Sequence, residues 1–177
     1  MSEQAFRPPY PDGLNADNIR PVGRWRQHAS PLGLVLFGLI FLVALFGVLG
    51  HERTWEAAAG GARLEVHAPE VIRNGEFFEM RIRVEAEEPL TELVIGVEDS
   101  VWEDITVNTM IPAASEEENL DGETRFTFSE LAAGSEFLFK IDAQVNPDIL
   151  GANSGRVTVY DGEDEIVATD ISISVLP

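Results

Sequence analysis

An antiparallel β-sandwich of about 7–8 strands, preceded by one transmembrane α-helix, is the fold class this 177-residue sequence predicts. Three observations carry it. From residue 62 to the end, apolar and polar residues alternate with period two, the signature of half-buried strands. Turn pairs such as Asn74-Gly75, Asp121-Gly122 and Asp161-Gly162 punctuate that alternation. Ahead of it lies a single apolar run, Pro31 to Gly50, PLGLVLFGLIFLVALFGVLG, with no Ser, Thr, Asn, Gln or charged residue.

Residues 1–28 read as a disordered cytoplasmic arm. Their first part, MSEQAFRPPYPDGLNADNI, holds three prolines and no apolar period. Pro8-Pro9-Tyr10-Pro11 is either a polyproline II ligand or plain tail.

Residues 29–50 read as the transmembrane helix. At 1.5 Å per residue these 22 residues reach about 33 Å, enough for the roughly 30 Å hydrocarbon layer. Arg20, Arg24 and Arg26 precede the run, whereas only Arg53 follows it closely. The positive-inside rule then places the N-terminus in the cytoplasm and the C-terminal domain outside a cytoplasmic (inner) membrane, periplasmic or extracellular. Trp25 and Trp55 bracket the run where interfacial indoles sit. A cleaved signal peptide is the competing reading, but its apolar region is normally only about 7–15 residues long. Phe37 and Phe41, four residues apart, would share one face of the helix and offer a contact to a second membrane helix or to lipid. Residues 51–61, ending in Ala57-Ala58-Ala59-Gly60-Gly61, read as a linker.

Residues 62–177 read as an extracytoplasmic sandwich domain. Phe78, Met80, Ile82, Val84 and Ala86 face one way, and Glu79, Arg81, Arg83 and Glu85 the other. Leu93, Ile95 and Val97 repeat the pattern, then Ile105 and Val107, then Thr124, Phe126 and Phe128. Phe137, Phe139, Ile141, Ala143 and Val145 form a second long inward row; Val157 and Val159, then Ile171, Ile173 and Val175, close the chain. One-sided burial on every strand is what two facing antiparallel sheets require. A parallel α/β sheet is excluded, because no helical stretch separates the strands.

Charge and composition exclude more than they assign. Residues 51–177 carry 8 Arg or Lys against 28 Asp or Glu, so −20 of the chain's −19 resides there and the N-terminal part is +1. Such a domain repels nucleic-acid phosphate and anionic headgroups. The absence of cysteine excludes disulfides, thiolate metal sites and thiol nucleophiles.

Two segments carry a resemblance. The frame Ala68-Pro69-Glu70-Val71-Ile72-Arg73-Asn74-Gly75-Glu76 before a long strand resembles the opening of bacterial Ig-like modules. Phe128-Ser129-Glu130-Leu131-Ala132-Ala133-Gly134-Ser135, a long strand, Gly151 and Val157-Thr158-Val159 are similar to their ending, including modules of the cell-adhesion-related type. The likeness covers residues 62–177 and rests on turn and core positions, without a cysteine pair or a tryptophan in the third strand. It implies a sandwich fold and a binding or spacer role without catalysis.

Candidate sites follow from residue chemistry. On this topology His28 lies across the membrane from His51 and His67, and His51 at its boundary, so no histidine metal site is expected, and with only Met80 and Met110 in the outer domain no soft copper site is expected. Glu116-Glu117-Glu118 with Asp121 reads as one acidic loop. Asp161, Glu163, Asp164 and Glu165 read as a second and are weak calcium candidates, although their spacing matches no calcium-loop motif. No Ser lies in a G-x-S-x-G or S-x-x-K frame, so no enzyme and no cofactor are expected. Trp102 is either inter-sheet core or an exposed anchor for a partner. The expected function is a membrane-anchored interaction module, an accessory or assembly subunit of a membrane or envelope protein complex. The alternative is a free-standing binding domain for calcium or for a cationic or carbohydrate ligand.

Overall fold

The computed structural model describes residues 23–45, 51–146 and 151–176. The chain divides into two units, residues 1–46 and 47–177. In the first, helix α1 runs Arg24–Leu45. In the second, eleven strands form two sheets. They are β1 (Glu52–Ala59), β2 (Ala62–Pro69), β3 (Val71–Arg73), β4 (Phe77–Ala86), β5 (Leu93–Glu98), β6 (Ile105–Ile111), β7 (Glu116–Leu120), β8 (Glu123–Thr127), β9 (Glu136–Val145), β10 (Gly151–Asp161) and β11 (Asp164–Leu176). One sheet has the order β1-β2-β4-β9-β6, and the other β3-β11-β10-β5-β8-β7. All pairs are antiparallel except β3 with β11.

The inward rows expected from the sequence meet as the core. Leu64 and Val66 from β2, Met80, Ile82 and Val84 from β4, and Phe139 and Ile141 from β9 are buried against Leu93, Ile95, Phe126, Val157, Ile171 and Ile173 of the facing sheet. An aromatic chain bridges the sheets: the Phe126 and Phe139 rings lie 5.3 Å apart, Phe128 and Phe139 5.0 Å, and Phe128 and Phe137 4.6 Å. Tilted ring pairs of this kind stabilise beyond their buried area by about 0.5–1.5 kcal/mol each.

Three strands lie where the sequence reading has none. The expected linker holds β1, which pairs with β2 from Glu52↔Pro69 to Ala59↔Ala62. Gly60 and Gly61, both at positive φ (54° and 79°), form the two-residue hairpin loop that reads as flexible linker in isolation. The expected acidic loop 116–118 is strand β7, paired with β8 through a hairpin whose loop residues Asp121 and Gly122 also have positive φ. β3 adds a three-residue parallel pairing with β11.

Among the described residues no helix is long and apolar enough to cross a membrane. The transmembrane helix expected over 29–50 is therefore not shown as such. Helix α1 starts in the polar segment at Arg24, and its apolar part, Leu32–Leu45, spans about 21 Å, less than a bilayer core. Residues 46–50, the rest of the apolar run, lie outside the described residues, as do residues 1–22 and Arg20 with them.

Candidate functional site

The outward face of the second sheet carries the most developed side-chain arrangement of the domain. In β8, Phe126 and Phe128 turn inward, so Glu123, Arg125 and Thr127 turn outward. In β10, Val157 and Val159 turn inward, which leaves Thr158 and Tyr160 outside. β5 lies between these two strands, and the register sets Gly96 opposite both Thr158 and Arg125.

Gly96 makes the arrangement sterically feasible. A Cβ built there would come within 2.3 Å of Glu123 Oε1, so only glycine lets the Glu123 side chain fold across the sheet. Glu123 then reaches Tyr160, whose hydroxyl donates to Oε2 at 2.9 Å and Oε1 at 3.2 Å. Arg125 Nε donates to the same Oε2 at 2.9 Å, and its guanidinium stacks 4.3 Å from the Tyr160 ring centre. This lid buries Tyr160 to 8% exposure and Thr158 to 1%, although both point away from the core. Burial, then the bond to Glu123, pushes the Tyr160 hydroxyl above its ordinary pKa. The bond to Glu123 raises Arg125 further. The triad is a closed donor–acceptor unit: the phenol keeps its proton, and the carboxylate is matched by a guanidinium.

Beside it lies an open groove of about 570 Å³, lined among others by Glu92, Glu116, Glu118, Arg125 and Glu163. Arg125 is the one cation of this lining, and it is committed to Glu123. The four glutamates have no ion-pair partner among the described residues. The opposite face of the sandwich differs. There Arg83 lies 3.2 Å from Glu136 and 3.8 Å from Glu65, Lys140 lies 3.7 Å from Glu79, Arg81 bonds Glu79, and His67 Nε2 lies 2.6 Å from Glu52. The second sheet's outward face also carries a cross-strand pair, Arg156 with Asp170 at 3.5 Å, but its groove presents carboxylates with no ion-pair partner among the described residues.

The residues singled out from the sequence go to different places. Asp161 ends β10, and its Oδ1 accepts from Thr91 N (2.7 Å), Thr91 Oγ1 (2.7 Å) and Glu92 N (3.0 Å). The Thr91 hydroxyl bond, followed by the Glu92 amide, lowers its pKa. Asp161 therefore ties down the entry to β5 rather than facing a cation. Glu163, Asp164 and Glu165 are exposed around the adjoining hairpin, and no group of three or more His, Asp or Glu among the described residues converges to hold a metal.

Trp55 lies in β1, half-buried against the core, with the Arg53 guanidinium 5.4 Å from its ring. Trp102 packs against the core beside a short 3-10 turn (Asp99–Val101), its Nε1 buried with no hydrogen-bond partner among the described residues. Arg24, Trp25, Arg26 and His28 fall within α1; Phe37 and Phe41 are 63% and 72% exposed on it.

Sequence reasoning missed Glu123, Arg125 and Tyr160. The alternation of β8 and β10 marks all three as outward-facing. That β5 joins those strands, with a glycine at the crossing, is a matter of strand order, which alternation does not encode.

No protein-family model matches the chain, and no curated protein does. Among solved structures it is similar to CaCohA2 from Clostridium acetobutylicum (15% identity, TM-score 0.44, covering 66% of this chain and 92% of that one). A CARDB domain from Pyrococcus furiosus is similar at 11% identity, with TM-score 0.43 and coverage of 68% and 98%. The C-terminal domain of wzt is similar at 13% identity, with TM-score 0.42 and coverage of 75% and 85%. These likenesses are of fold alone.

Proposed function

We propose that this chain is a single-pass membrane protein, N-terminus inside, that presents a non-enzymatic interaction module on the outer face of a cytoplasmic membrane. In this reading it serves as an accessory or assembly subunit of a membrane or envelope protein complex. One observation carries the anchor. Leu34, Val35, Leu36 and Phe37 step round a full turn of α1 and are 59–71% exposed, and Leu39, Ile40 and Phe41 repeat this at 55–72%. A helix apolar on every side has no polar face to give water, so its natural surroundings are lipid or other membrane helices. In the sequence the apolar run continues beyond Leu45 to Gly50, the end of the span read there.

A binding role for the sandwich is supported by its chemistry. The half-buried Glu123–Arg125–Tyr160 triad is satisfied within itself, whereas the unmatched glutamates of the groove suit a cationic segment of a protein partner. The test is purification of the full-length protein in mild detergent. The expected result is a particle larger than 19.5 kDa plus micelle, which falls apart when Glu116 and Glu118 are both changed to Lys. A monomer under those conditions overturns the interaction role. Because the chain lacks cysteine, single-cysteine variants read topology directly. A membrane-impermeant maleimide should label Ser115→Cys in intact cells and leave Ser2→Cys unlabelled.

A further inference from the structure

We infer that the free edge of β7 is a strand-docking site, where an extended segment of a partner protein with basic residues at alternate positions adds to the sheet. This rests on the interaction role proposed above and names how the cationic segment binds. β7 is the last strand of its sheet and, among the described residues, pairs with β8 alone. Its hairpin turns through the two loop residues Asp121 and Gly122. The hydrogen-bonded pairs are therefore Leu120 with Glu123, Glu118 with Arg125 and Glu116 with Thr127. The amides and carbonyls of Glu117 and Asn119 point to the open side, where no strand of the described residues meets them.

The edge is held ready for pairing. At one end Ser115 N and Oγ both donate to the Thr127 carbonyl, at 2.8 and 2.9 Å. At the other, the Asn119 side chain is fixed on the Asp99 carboxylate. A strand already in place spares a partner the cost of ordering it. A segment that adds to it gains main-chain hydrogen bonds, and its alternate side chains fall beside those of β7. On the groove side these are Glu116, Glu118 and Leu120, which line the groove of about 570 Å³ together with Glu92 and Glu163. Lys or Arg at every second position of the incoming strand then stands beside two unmatched glutamates. At cross-strand spacing opposite charges stabilise and like charges destabilise. A second copy of β7 would set glutamate against glutamate, so the charge of the edge favours a cationic strand over itself. Acidity alone would make an ordinary solvated face; the open backbone beside it makes the surface selective for a strand.

The experiment uses the full chain in mild detergent and a fluorescein-labelled peptide of alternating lysine and threonine, its binding read by anisotropy. Two further versions of the peptide carry backbone N-methyl groups, one on its threonines and the other on its lysines. In an added strand only alternate amides face β7, so only one of the two sets of methyl groups blocks pairing. The expected result is that one methylated peptide binds about tenfold more weakly or worse, while the other binds as the parent does. Changing Glu116 and Glu118 together to Lys, both at exposed positions, should weaken the parent peptide at least as much. Methylated peptides that bind alike, with binding still lost in the double variant, overturn strand addition and leave the cationic partner standing. Binding that survives the double change overturns the placement on β7. No binding of the parent peptide overturns the docking site, while the detergent particle of the purification test decides the interaction role by itself. A two-copy particle that excludes the peptide assigns the edge to a second copy and overturns the inference too.

Discussion

Gly96 shows how one missing methyl group organises a surface. Its space is filled by the Glu123 carboxylate, which in turn holds Tyr160 and Arg125. Gly96→Ala should push Glu123 off the sheet and lower stability by about 1 kcal/mol, the net worth of the lost hydrogen bonds. Tyr160→Phe should cost a similar amount, and the two changes together little more than either alone, because both break the same unit. Denaturant titration of the four proteins checks this; additive losses would mean that Gly96 acts independently of the triad.

Asp161 makes a prediction in pH. Its folded pKa lies below the ordinary carboxylate value because Thr91 and Glu92 donate to it. The stabilisation is thus complete above the unfolded pKa and is lost as pH falls through the folded one. Asp161→Asn should be less stable than the parent at neutral pH, and the gap should close in acid, as read from denaturation midpoints at each pH.

At the scale of elements, β1 and β7 are the instructive strands. β1 pairs with β2 along eight residues and lays Trp55 and Ala57 on the core. Fragment 51–177 should therefore melt well above fragment 62–177, which leaves the β2 edge uncovered; equal melting temperatures would show that β1 adds nothing. β7 is exposed at all five positions and carries three consecutive glutamates on a sheet edge. Charge on an edge discourages pairing with another copy of itself. Asn119 anchors the strand by donating to both Asp99 oxygens, at 2.9 and 2.8 Å.

Neither strand is legible from alternation. Ala57-Ala58-Ala59 and Glu116-Glu117-Glu118 have weak strand propensity and no apolar period. Hairpin partners recruit them: β2 and β8, reached through turns with two positive-φ residues each. The turn pair Asp121-Gly122 is readable in the sequence, and so is half of that answer. Glu116 to Glu118 read as loop because local preference is a weak prior against a neighbouring strand with free hydrogen-bonding groups.

For the whole molecule, an acidic domain of −20 is held together against its own field. Raising ionic strength from about 0.01 to 0.15 M shortens the screening length from about 30 to about 8 Å and should raise the melting temperature of fragment 51–177. A flat or falling response would mean that the cross-strand pairs on the β1-β2-β4-β9-β6 face outweigh the repulsion.

The sequence by itself determined that the outer part is a two-sheet sandwich, which side chains fill its core, where the main turns fall, and that one apolar segment precedes it. Those follow from periodicity, turn chemistry and hydrophobicity, all properties of neighbours along the chain. Only the tertiary structure decided that Glu123, Arg125 and Tyr160 meet over Gly96, and that Asp161 is committed to Thr91 and Glu92. Each of those depends on strand order and register, in which residues 27 to 70 positions apart become neighbours, and no local pattern specifies which strands will pair.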